Sequence, residues 1–178
     1  MHKKFLSQGF TLIEMLVGMF VFSIIILLVS SMFVSGLELQ RRAFNVQHVE
    51  ENSTFILETM TKELRIAEIT SPTVDSACPG TFDTSLTILH PEHGTITYAL
   101  SGTDLTRTVK DVTGTDVTSV LNSSSITVTR LGFCVAGVEV GDNRQPRVTM
   151  VLTLATTSVR EPASADIQTT LSSRLLSD

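Results

Sequence analysis

From Phe10 to Leu37 the chain runs for 28 residues with a single charged side chain, Glu14. Wound as a helix at ~1.5 Å per residue, this run is about 42 Å long, against a hydrocarbon core of ~30 Å. A soluble core seldom hides so long an uncharged run, so the segment reads as a membrane anchor. A lone acid at mid-membrane depth costs roughly 2.5–3.5 kcal/mol and marks a function by default. Glu14 lies within about one turn of the start of the run, where it can reach the headgroups at lower cost. Met1–Gln8, ahead of it, is short and basic, with Lys3 and Lys4 and no acid. A secretory signal would have a shorter apolar core followed by a small-residue cleavage site, and none follows here.

Lys3 and Lys4 before the run and Arg41 and Arg42 after it nearly balance the positive-inside count. The Ser/Thr-rich, β-type remainder favours an exported C-terminal part, so the expected orientation is N-terminus in, C-terminus out. Two cysteines, Cys78 and Cys134, lie outside the apolar run. In an exported chain they permit one disulfide, whose closed loop would stabilise the fold by roughly 4 kcal/mol. Two buried free thiols are the alternative. With a formal net charge of −5 and scattered basic residues, the chain lacks the basic face that phosphate binding needs. Nucleic acid is not an expected partner.

Glu38 to Ile69 contains neither proline nor glycine. Leu57, Met60, Leu64 and Ala67 form an apolar stripe, extended backwards by Val49, Asn52 or Ser53, and Ile56. Glu50, Glu51, Glu58, Lys62 and Arg65 occupy the polar face. Thr70-Ser71-Pro72 predicts the end of the helix, because a residue before proline avoids the α region. Short β-type runs follow at Ser85–His90, Thr95–Leu100, Leu105–Lys110, Ser125–Leu131, Cys134–Val140 and Arg147–Thr153, with turn residues between them. The expected fold is α+β: one long N-terminal helix, half membrane and half amphipathic, packed on an antiparallel sheet. The expected divisions are 1–9, 10–37, 38–70 and 71–178.

Lys3-Lys4, Gly9-Phe10-Thr11-Leu12-Ile13-Glu14 and the long apolar helix, in that order, resemble the N-terminus of type IV pilins and pseudopilins. The resemblance implies a leader, 1–9, removed by a prepilin peptidase between Gly9 and Phe10, and N-methylation of Phe10. It also implies that Glu14 pairs with the N-terminal amine of a neighbouring subunit. Glycine lacks a Cβ and lets a protease draw the backbone close. Cleavage creates a cationic amine four residues before Glu14, and a charge-assisted contact away from water would offset the cost of burying the acid. Implied partners are the peptidase, other pilins or pseudopilins, an inner-membrane assembly platform and, before assembly, the membrane. Leu57–Ala67 with its Glu-Leu-Arg, the Leu-x-Arg-Thr hairpin within Thr97–Thr108, and the strand ending Gln168–Arg174 are similar to the minor pilin and pseudopilin branch.

No catalytic constellation accompanies these features. His90-Pro91-Glu92-His93 cannot form a helical metal motif, because Pro91 breaks it, and reads as a hairpin loop. Asp104, Asp111, Asp116 and Asp142 suit calcium by chemistry but lack loop spacing. No cofactor and no enzymatic activity are expected. A membrane-anchored envelope enzyme and a pilus-borne adhesion or DNA-uptake module remain the competing classes.

Overall fold

The computed structural model describes residues 9–72, 82–110, 114–138 and 144–174. Its elements are α1 (Leu12–Leu64), β1 (Glu68–Ser71), β2 (Ser85–His90), β3 (Gly94–Ser101) and β4 (Asp104–Lys110). They continue with β5 (Asp116–Val120), β6 (Ile126–Ala136), β7 (Arg147–Thr156) and β8 (Ser164–Ser172). The architecture is α+β and pilin-like, a long apolar N-terminal helix followed by antiparallel strands. The chain divides into two compact units, Met1–Arg41 and Arg42–Asp178.

In the first unit the helical side chains from Leu12 onward are all exposed. Among the described residues α1 is the one helix long and apolar enough to cross a membrane. In the second unit Val49, Ser53, Ile56, Met60 and Leu64 are buried, a run spaced by four and three that lies on one face of the helix. The stripe expected from the sequence is thus centred on Ile56 and Met60, and Leu57 packs only against its flank. Ser53 is accommodated in it because its hydroxyl donates to the Val49 carbonyl at 2.6 Å.

The expected helical segment 38–70 is corrected: α1 stops at Leu64, and Glu68–Ser71 is a strand paired antiparallel with β2. Helix-compatible spacing continues to Ala67, but pairing with β2 satisfies the backbone beyond it. Arg65 and Ile66 close the last turn onto Thr61 and Glu63. The returning chain after β8 then caps the exit: Arg174 N–H donates to the Arg65 carbonyl at 3.0 Å. The Ser173 hydroxyl donates to the Ala67 carbonyl at 2.8 Å.

The single expected sheet is two: β1-β2-β3-β4-β5 and β6-β7-β8. The runs at 85–90, 95–100, 105–110 and 147–153 become β2, β3, β4 and β7. Ser125–Leu131 and Cys134–Val140, read as two strands, are one continuous strand up to Ala136. A bulge between Val128 and Arg130 switches the buried positions from Ile126 and Val128 to Leu131, Phe133 and Val135. One extra residue reverses the alternation, so a period-two pattern breaks where the strand does not. Residues 139–140 lie outside the described residues. β5 was missed because all five of its residues are exposed and no burial pattern marks it.

One core joins the helix stripe to both sheets, with Tyr98, Phe133, Ile96, Leu105, Met150 and Leu152 fully buried. Asn122 stitches the sheets together from the loop before β6. Its carbonyl accepts from Leu105 N–H at 2.8 Å, and its amide donates to the Ile126 carbonyl at 2.7 Å. Phe133 and Asp83 exchange backbone hydrogen bonds of 2.7 and 2.8 Å, tying the lead-in to β2 onto β6.

Candidate functional site

At the start of α1, Thr11 and Glu14 form a reciprocal cap. Glu14 N–H donates to the Thr11 hydroxyl oxygen at 3.3 Å, and the Thr11 N–H and hydroxyl donate to Glu14 Oε2 at 3.4 and 3.3 Å. This is the T-x-x-E capping box, legible as Thr11-Leu12-Ile13-Glu14 but overlooked in the sequence. Met15 N–H reaches the Thr11 carbonyl at 3.2 Å as the first helical bond. The carboxylate sits on the positive end of the helix dipole. Its contacts are long for hydrogen bonds to an anion, so a cation can compete for it. Phe10 is 81 % exposed, and nothing lies within 4 Å of a Cβ built on Gly9. The Gly9–Phe10 bond and Glu14 therefore occupy one open stretch of chain. Lys3 and Lys4 lie outside the described residues.

A second polar centre lies in the core of the Arg42–Asp178 unit. Arg107 on β4 donates through Nη2 to Glu63 Oε1 at 2.7 Å, and through Nε to both carboxylate oxygens at 3.1 Å. The Tyr98 hydroxyl on β3 donates to Glu63 Oε2. Burial by itself raises the Glu63 pKa, but the bonds from Arg107 and Tyr98 and the Arg107 charge outweigh it, leaving the carboxyl below its ordinary value. Burial and then the Glu63 carboxylate push the Tyr98 phenol up. The hydrogen bond to Glu63 is the main reason the Arg107 guanidinium holds its proton more tightly than usual. The Glu-Leu-Arg and Leu-x-Arg-Thr segments are thus two halves of one partly buried ion pair, a link the sequence concealed because 44 positions separate the partners.

The remaining sequence candidates separate. His90 is buried at the end of β2, its Nδ1 accepting from the N–H groups of Glu92 and His93 at 3.1 and 3.2 Å, with its ring stacked on His93. The His-Pro-Glu-His segment is accordingly a turn organised by its own first histidine. Gly94 closes that turn at φ +74°, a conformation that costs other residues strain. Asp104 accepts from Asn122 at 3.3 Å and Asp116 opens β5, while Asp111 and Asp142 lie outside the described residues. Among the described residues no cluster of three or more His, Cys, Asp or Glu side chains is arranged to hold a metal ion. Cys134 is buried on β6 with its sulfur in a disulfide, and Cys78 lies outside the described residues.

Residues 5–30 match the family model described as the prokaryotic N-terminal methylation motif. The match supports the type IV pilin and pseudopilin family and covers Gly9, Phe10, Glu14 and most of the apolar run. Comparison with curated proteins finds no match, and neither does comparison with solved structures.

Proposed function

We propose that the chain is a structural subunit of the minor pilin or pseudopilin branch, cut between Gly9 and Phe10 and N-methylated on Phe10. In this reading it is built into a type IV pilus or type II secretion pseudopilus, as an initiating or tip-proximal subunit. The observation that carries it is the methylation motif over 5–30, with Glu14 exposed at the start of a helix whose apolar residues 12–37 are all exposed. Before assembly the helix sits in the inner membrane, N-terminus cytoplasmic and β-rich part exported. Removing the leader frees a primary amine at Phe10, which N-methylation makes a secondary ammonium, near the carboxylate that Thr11 holds only at 3.3–3.4 Å. A neighbouring subunit's ammonium then outcompetes Thr11 for Glu14 and sets the axial register. In the exported part Cys78 is the partner of Cys134. Partners are the peptidase, the other pilins and the assembly platform, and no chemistry is performed by the subunit itself.

The test is the intact mass of the chain from cells with an active prepilin peptidase. It should equal Phe10–Asp178 plus one methyl group, and recovery of the uncut chain refutes the reading.

A further inference from the structure

On the outer face of the β6-β7-β8 sheet, Arg130, Thr153 and Asp166 occupy consecutive strands at one level. With Val151 and Gln168 at the adjoining level, they line an open groove of about 430 Å³. We infer that this groove is a binding site for a singly charged acidic sugar, a hexuronate, free or within a polysaccharide.

The groove carries one cationic and one anionic side chain that do not neutralise each other. Strands lie ~4.8 Å apart, so Arg130 and Asp166, two strands apart, are separated by roughly 10 Å at the backbone. Thr153 stands between them and donates its hydroxyl to Asp166 Oδ1 at 2.6 Å, so only one of the two carboxylate oxygens is engaged by it. The ion pairs among the described residues are Glu58–Lys62 and Glu63–Arg107, and neither Arg130 nor Asp166 enters one.

Arg130 is also positioned. Its guanidinium carbon lies 5.9 Å from the centre of the Phe82 ring, an attraction that steadies a planar cation. Phe82 in turn rests on Gly132, where an added Cβ would come within 2.9 Å of the Phe82 Cβ. The missing side chain at 132 is what lets the aromatic ring lie beneath the arginine.

This set discriminates by charge and shape. The guanidinium offers a planar fork to a carboxylate. Asp166 and Gln168 accept from and donate to adjacent hydroxyls, and the Thr153 hydroxyl joins them. The apolar Val151 at the floor faces the C–H side of a sugar ring. Phosphates and other multiply charged anions are disfavoured because Asp166 shares the groove, and neutral hexoses leave Arg130 without a partner. A hexuronate supplies one carboxylate and a vicinal diol on opposite sides of a single ring, within the span of these side chains.

The experiment is titration of the full chain in detergent micelles with D-galacturonate, D-glucuronate, D-galactose, glucose 6-phosphate and an oligogalacturonate, followed by amide chemical shifts and calorimetry. At least one hexuronate should shift Arg130, Thr153, Asp166 and Gln168 and bind about tenfold more tightly than the neutral hexose and the phosphate ester. Stronger binding by the oligomer than by either monomer would assign the polymer as the source, and equal binding the free sugar. Arg130→Met should abolish the preference for uronate over neutral hexose. Asp166→Ala should weaken both sugars, and Gly132→Ala should weaken uronate by displacing Phe82. Wild-type shift patterns elsewhere show that each variant is folded. No shift at these four residues, equal binding of acetate, or an Arg130→Met variant that keeps the uronate preference overturns the assignment.

Discussion

Replacing Glu63 with glutamine removes the charge from the Glu63–Arg107–Tyr98 centre while keeping its shape. The two ionic side chains are 13 % and 18 % exposed, so little water is at hand to repay Arg107 for its lost partner. Breaking a buried pair from one side costs ~3–5 kcal/mol. The residual exposure and the amide oxygen that still accepts from Tyr98 place the expected loss near 3 kcal/mol. At a urea slope of ~2 kcal/mol/M this lowers the midpoint by about 1.5 M. The assay is built into the molecule, because the chain has one tyrosine and no tryptophan, so intrinsic emission reports on Tyr98 alone. The folded pKa of Glu63 is depressed, so its contribution is present above the unfolded carboxyl value of 4.5 and is lost as pH falls through the folded pKa. Glu63→Gln should therefore remove part of the loss of stability expected below pH 4.5. Adding Arg107→Gln to Glu63→Gln should cost less than the sum of the two single changes, by at least ~1 kcal/mol. An unchanged urea midpoint in Glu63→Gln, or additive single effects, would refute the reasoning.

Glu14→Ala should leave the subunit inserted and processed but poorly incorporated into filaments, and normal incorporation in the same cells refutes the pairing role. Thr11→Ala, which removes only the hydroxyl of the cap, should weaken the first helical turn by ~1 kcal/mol, read as faster amide exchange at Glu14 and Met15. Asn122→Leu should cost ~1–3 kcal/mol in urea unfolding, because it strands the Leu105 N–H and the Ile126 carbonyl bonded to the buried amide. Cys134→Ser should cost ~2–5 kcal/mol if the thiol's disulfide closes the long loop to Cys78, and a non-reducing peptide map showing any other pairing refutes that connection.

The N-terminal motif was legible in the sequence because it is local. Gly9, Phe10 and Glu14 lie within a few residues of one another, and a run of 28 residues with one charge stands out by length alone. The core stripe was legible for a similar reason, since Val49, Ile56, Met60 and Leu64 repeat at the period of a helix. β2, β3, β4 and β7 were marked by apolar alternation and by the turns between them.

Tertiary structure decided what depends on residues far apart in the chain. Where α1 stops was settled by the pairing of Glu68–Ser71 with β2 and by the cap from Ser173 and Arg174, neither of which leaves a local signal. The merging of two expected runs into the single strand β6 followed from the Val128–Arg130 bulge, which reverses the alternation inside it. The Glu63–Arg107 pair and the Arg130–Asp166 groove are likewise products of strand register, which brings together side chains that no spacing rule connects. Local periodicity encodes which residues face inward, whereas hydrogen-bond register between distant strands determines which of them meet.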